Sequence, residues 1–232
     1  GSLNLVNLEL HITKNKRVKI SKIYIEGNEK FTDRRLRRTM KKTKQRDLNI
    51  FKGSKFIEEE YEADKIKLIE FYGERGYRDA KLLSDEVVVL NKKRVALKLK
   101  IFEGNEFRLR NITWIGNTKY QSAYLNAVLG MKQGDVYDQK LLNKRLREDD
   151  DAVSSIYLDD GYLFFSVNPV ETKVDNDSID LEFRIYEGKQ ATLNNINIKG
   201  NTKTNEHVVR RELYTRPGEL FSKSDIIRSV RE

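Results

Sequence analysis

Two histidines, three consecutive aspartates and one dense run of cations are the residues of this chain whose types invite chemistry. His11 and His207 each lack a partner at the spacing of a metal site or a catalytic triad. Asp149-Asp150-Asp151 offers carboxylates to a cation, but it falls within a long helical pattern, where consecutive residues face different directions. It also lacks the glycine and spacing of a calcium loop. The expectation is a solvated helix face. Gly27-Asn28 is not followed by the Lys-Ser/Thr of a phosphate loop. No catalytic residue, metal or cofactor is therefore expected, and the chain does not read as an enzyme. The cations Arg34, Arg35, Arg37, Arg38, Lys41 and Lys42, with Lys44, form a basic patch on a helix read over 32–44. Such a patch can grip phosphates of nucleic acid or of lipid headgroups. The corresponding helices elsewhere in the chain are less basic, and Tyr24 and Trp114 fall on strand positions rather than on a stacking platform. Nucleic acid is not expected as a partner.

The whole chain is basic as well, with 45 Lys and Arg against 36 Asp and Glu and a net charge of +9, which favours acidic partners. It has 232 residues, of which 38% are hydrophobic and 35% charged. So large a polar share fits several small modules, because small domains bury less of their surface. There is no cysteine, hence no disulfide framework. No apolar run approaches the roughly 18 residues of a membrane-spanning helix.

A repeat organises the chain. Ile23-Tyr24-Ile25-Glu26-Gly27-Asn28 is echoed by Ile112-Thr113-Trp114-Ile115-Gly116-Asn117 and by Ile196-Asn197-Ile198-Lys199-Gly200-Asn201. Leu36, Leu125 and Val209 fall in register, as do Met40, Leu129 and Leu213. Gly76-Tyr77 matches Gly161-Tyr162, and Glu103-Gly104 matches Glu187-Gly188. The shared positions are mostly apolar or glycine, as a common core and common turns require.

Each repeat reads as strand, helix, helix, strand, strand. The first strand alternates with one slip of phase, between Ile20 and Ile23 and again between Leu109 and Ile112, which predicts a shared bulge or a linker joining the strand. The Gly-Asn pair turns the chain. A short helix follows, with Asp33 as its expected N-cap. A longer helix carries an apolar stripe at 57, 61, 68 and 72 and is expected to stop at Gly76. Strands over 80–90 and 95–102 form a hairpin, and the crossover from the first strand makes the sheet mixed. The fold class is α+β, a three-stranded mixed sheet covered by two helices in each module.

Proline cannot donate to a ladder, so Pro169 places the strand over 164–173 at a sheet edge. Leu83-Ser84-Asp85-Glu86 is a polar break at nearly the same place in the first repeat, and both sites are expected to be bulged. Edge strands offer unpaired backbone groups to an extended partner. The candidate contact residues are Lys81, Leu83, Val87, Val88 and Val89 on one edge, and Phe164, Ser166 and Val170 on the other.

The expected organisation is a leading segment 1–17, complete modules at 18–105 and 106–190, and the start of a further module at 191–232. Gly1-Ser2 reads as a cloning remnant, and residues 3–12 as the last strand of a preceding module. The last module is expected to contribute a first strand, a first helix and the beginning of a second.

The element order, the Gly-Asn turn, the Gly-Tyr after the long helix and the Glu-Gly before the next module resemble those of POTRA (polypeptide-transport-associated) domains. The resemblance covers essentially the whole chain. Asn49-Ile50-Phe51, in a lengthened loop, makes the first module look like the second of a longer array in that family. The resemblance implies a periplasmic scaffold of an outer-membrane protein assembly machine. Its implied partners are accessory lipoproteins, unfolded outer-membrane proteins and a C-terminal membrane β-barrel of the same chain. The same modules also occur in two-partner secretion and translocation-and-assembly transporters.

Overall fold

The computed structural model describes residues 18–45 and 54–231. The leading segment with His11, and the loop residues Asn49-Ile50-Phe51, lie outside the described residues. Two compact units are distinguished. One comprises the described residues up to Ile69 together with Lys81–Glu103, and the other comprises Glu70–Ala80 and the described residues from Gly104 onward.

The first unit is built on β1 (Lys19–Glu26), α1 (Asp33–Thr39), α2 (Glu58–Gly73), β2 (Lys81–Asn91) and β3 (Arg94–Phe102). The strand order is β1-β3-β2, with β1 parallel and β2 antiparallel to the central β3. The register slips between Ile20 and Lys22, where the phase of the sequence slips. Alternation buries Ile23, Ile25, Leu97, Leu99 and Ile101 on one face, with Leu36 of α1 and Tyr61 and Leu68 of α2 also buried.

The second unit repeats this plan with β4 (Arg108–Ile115), α3 (Ser122–Leu129), β5 (Ser166–Asp175) and β6 (Ser178–Tyr186), ordered β4-β6-β5. Its bulge falls between Leu109 and Asn111, as expected. Trp114 lies on Phe183 with ring centroids 4.3 Å apart, and Tyr157 stacks on Phe165 at 4.1 Å, inside a core that includes Leu125, Leu146, Leu181 and Val167. Such aromatic pairs add stabilisation beyond their buried area.

Several expectations need correction. The cap of α1 is Thr32, whose hydroxyl accepts from the Arg35 N–H at 3.4 Å, and Asp33 opens the first turn instead. The helix ends at Thr39, so Lys41, Lys42 and Lys44 follow it rather than extend it. Helix α2 ends at Gly73, and Gly76 (φ +86°) sits in the turn beyond. The second long helix is broken. It consists of α4 (Gln139–Asn143), a π turn over Lys144–Glu148 and α5 (Val153–Asp159). Asp149-Asp150-Asp151 lies at this break and not on a continuous helix face. Arg145 donates to Asp149 at 3.1 Å and to Asp151 at 2.7 Å, and the extended backbone at Asp149 ends the turn. Strand β5 begins at Ser166, two residues later than read, which leaves Phe164 in the preceding turn. Pro169 pairs in register with Phe183, and the bulge of β5 lies at 171–173 instead. The bulge of β2 does fall at 82–84.

The further module contributes α6 (Glu206–Arg211), which carries His207, and α7 (Lys223–Arg231). Residues 193–200, read as its first strand, have no ladder partner among the described residues and are not assigned as strand.

Candidate functional site

Strand alternation and the sheet order put two long edges in candidate positions. In β2, residues Ser84 to Val89 run in unbroken register against Lys100 to Val95. Their outer side chains are open to solvent, and Val89 is 73% and Leu83 52% exposed. Lys81 and Val87 are also exposed, and Val88 is half-buried. The bulge before Ser84 turns Asp85 toward the helices, where Lys65 of α2 reaches it at 2.8 Å. An inward-pointing charge of this kind restrains indiscriminate edge pairing.

Strand β5 has the same device. Glu171 accepts from Tyr137 Oη at 3.2 Å and pairs with Arg78 Nη1 at 2.5 Å. Burial first, and then the Glu171 carboxylate, push the Tyr137 phenol up to about 12. Ser166 is exposed at the start of β5 and Val170 is half-buried within it. Phe164 is 68% exposed but contributes no ladder position.

The basic patch is only partly open to solvent. Arg37 is withdrawn from it, held by Asp33 at 3.0 Å and donating to the Ile23 carbonyl at 3.4 Å. Arg35 lies over the Phe31 ring. Arg34, Arg38, Lys41, Lys42 and Lys44 remain exposed, with no ion pair among the described residues. Of the two aromatics set aside as platforms, Trp114 is core, whereas Tyr24 stands on the open face of its sheet.

Two repeated polar clusters complete the picture. In each sheet the carboxylate after the last strand closes the Gly-Asn turn. Glu103 accepts from the Lys30 N–H at 2.9 Å, and Glu187 accepts from the N–H groups of Thr118 and Lys119 at 2.8 and 2.9 Å. Burial raises the Glu187 carboxyl, but hydrogen bonds from Thr118, Lys119 and Tyr157 together hold it below the usual range. At the Gly-Tyr positions the glycine carbonyl receives the strand lead of the next repeat. Phe107 N–H donates to Gly76 at 2.9 Å and Ala191 N–H to Gly161 at 2.8 Å.

The POTRA family model, described as a surface antigen variable number repeat, matches residues 18–104, 107–188 and 191–232. The chain belongs to the POTRA family. The POTRA chain is 30% identical to the outer membrane protein assembly factor BamA of Neisseria meningitidis serogroup B, over 97% of its own length and 28% of the relative's. It is 28% identical to a putative outer membrane protein assembly factor of Treponema pallidum, over 97% of its length and 27% of the relative's. It thus spans little more than a quarter of these relatives. Among solved structures it superimposes on Haemophilus influenzae BamA POTRA3-5 with a TM-score of 0.73 at 19% identity, covering 95% of this chain and 86% of that one. That likeness shows the fold.

Sequence reasoning noticed the POTRA repeat's Glu-Gly and Gly-Tyr positions but gave the glutamate no role and Gly76 only that of a helix stop. Their partners lie about 70 residues away for the glutamates and about 30 for the glycines. It passed over Asp64 altogether. Nothing but a single acidic residue on a helix stripe marked that position.

Proposed function

We propose that this chain is part of the periplasmic scaffold of an outer-membrane protein assembly factor, and that it holds unfolded β-barrel clients and accessory lipoproteins by strand addition at β2 and β5. The observation that carries the reading is the terminal position of both strands in three-stranded sheets, within POTRA modules similar to those of BamA proteins. Backbone pairing suits such clients, because it tolerates many sequences in an extended segment. The whole factor would continue into a membrane β-barrel of the same chain.

The reading is tested with photo-crosslinking side chains placed at Glu86 on β2, Asn168 on β5 and Ile66 on the exposed face of α2. An unfolded barrel peptide is expected to crosslink at Glu86 and Asn168 several times more than at Ile66. Equal yields at all three positions would remove the strand-addition reading.

A second reading is favoured by the five exposed cations around α1 that have no ion pair among the described residues. They suit the phosphates of an anionic lipid surface. Charge reversal at Lys41 and Lys42 is expected to abolish co-sedimentation with anionic vesicles. Unchanged co-sedimentation of the reversed chain, or equal binding to neutral vesicles, would reject this role.

A further inference from the structure

The first strand of each of the two sheets is also an edge, and the three repeats treat the corresponding position differently, the third having no ladder there among the described residues. In the first, Arg37 of α1 donates to the outward carbonyl of Ile23, and the Ile23 N–H donates to Gln45 Oε1 at 3.1 Å. The edge is closed at that residue by two side chains. In the third, the corresponding Arg210 of α6 donates to the carbonyl of Ile196 at 3.2 Å and is held by Glu206. In the second, Ser122 and Asn126 occupy the places of the acid and the arginine. Asn126 turns inward and accepts from the Trp114 indole N–H at 2.7 Å.

The consequence falls on β4. Its register against β6 repeats that of β1 against β3, so Ile112 corresponds to Ile23 and turns its N–H and C=O away from the sheet. Leu109, on the same side, is closed by the Asp135 carbonyl at 2.9 Å and the Gly134 N–H at 2.7 Å. Beyond it, no partner reaches the outward groups of Ile112 or Trp114 among the described residues. A groove of about 560 Å³ opens there, lined by Arg110 to Thr113, Asn126 and the segment Met131–Gln133, and it extends across the sheet to Asp180 and Glu182 of β6 and Thr172 of β5.

We infer that the β4 edge at Ile112–Trp114 is a binding site for an extended polypeptide strand. The unpaired N–H and C=O groups of alternate residues state the chemistry of the occupant, which must present the same groups at the same spacing. A helix or a headgroup cannot satisfy them. The apolar floor given by Ile112 and Met131 takes an aliphatic side chain of that strand. The proposal rests on the reading that extended segments pair with sheet edges in this chain, and it adds a third edge, open at Ile112 where β1 is closed at Ile23.

The test is amide hydrogen exchange of the 232-residue chain, with and without a short blocked peptide of alternating valine and threonine. Exchange at Ile112 and Trp114 is expected to slow by roughly tenfold or more at saturation. Protection along β2 or β5 with none at Ile112 would overturn this inference and leave the strand-addition reading standing. Protection at no edge would overturn both. The double variant Ser122→Asp/Asn126→Arg sets the acid and arginine of the first repeat beside the Ile112 carbonyl, occupying one of the two groups an added strand must pair with, and is expected to lose the protection at Ile112 while a thermal melt shows it folded. Conversely, Arg37→Asn/Gln45→Ala opens β1 and is expected to gain protection at Ile23. Retained protection in the folded first variant, or no gain in the folded second, would overturn the proposal.

Discussion

Replacing Gly116 with alanine is expected to lower the stability of the second unit by about 3 kcal/mol. Two causes act together. The residue has φ +86°, which L side chains rarely adopt, and its added Cβ would stand 2.2 Å from the Ile185 carbonyl oxygen. That oxygen belongs to the adjacent strand β6 and cannot move without breaking the ladder. Gly200 is the internal comparison. It has the same φ but nothing within 4 Å, so its alanine variant should cost only about 1 kcal/mol. Trp114, the one tryptophan, is buried on Phe183 and reports unfolding of this core by its fluorescence. Urea midpoints for Gly116→Ala and the unaltered chain that coincide would refute the steric account.

The second large effect is expected at Asp64. It is fully buried in α2, accepts from the N–H groups of Thr43 and Lys42 at 2.7 and 2.8 Å, and pairs with Lys67 at 3.1 Å. Asp64→Ala leaves two backbone donors without an acceptor, one of them on buried Thr43, and should destabilise the first unit by about 3 kcal/mol. The Trp114 transition of the second unit should not move. Burial raises the Asp64 carboxyl, but the Thr43, Lys67 and Lys42 donors outweigh it and hold it below its ordinary value. A carboxyl lowered in the folded state stabilises fully above its unfolded value, and this contribution is lost as pH falls through the folded one. The first unit should therefore lose stability below about pH 4. Asp64→Asn should flatten that dependence, as read by circular dichroism with the fluorescence of Trp114 as control. An acid transition of the first unit that is unchanged in the Asp64→Asn variant would exclude this carboxylate as its origin.

Both effects bear on how a POTRA array keeps its edges in place. The Gly-Asn turn and the Asp64 cluster each fix a backbone segment by contacts that a few local residues cannot supply. The edge strands depend on that framework, because a strand added at β2, β4 or β5 binds only where the central strand already holds the register.

Local pattern was enough for the parts of this fold that depend on near neighbours. The alternation of β1 and β4, with its slip of one residue, specified the bulges at Ile20–Lys22 and Leu109–Asn111. Pro169 specified that β5 is an edge, since a residue without an N–H is not accommodated in a strand paired on both sides. The repeat of glycine and apolar positions specified the α+β module and its tandem order. Other features turn on distant partners and were not legible. Asp149 stands where Asp64 stands in the first repeat, yet one breaks its helix while the other anchors it. The difference lies in which loop amides or arginines reach the carboxylate. The segment 193–200 has the same alternating residues as β1 but no strand beside it, among the described residues, to complete a ladder. The exchange of Arg37 for Asn126 was visible as letters, and its meaning was not. An arginine closes an edge only by reaching a particular carbonyl, and that contact exists only once helix and strand have packed. The sequence by itself thus determined the bulged first strands, the edge position of β5 and the tandem order of the α+β modules. The tertiary structure alone decided which backbone groups at the edges remain unpaired, because a hydrogen bond is satisfied or left open by the geometry of the residues around it.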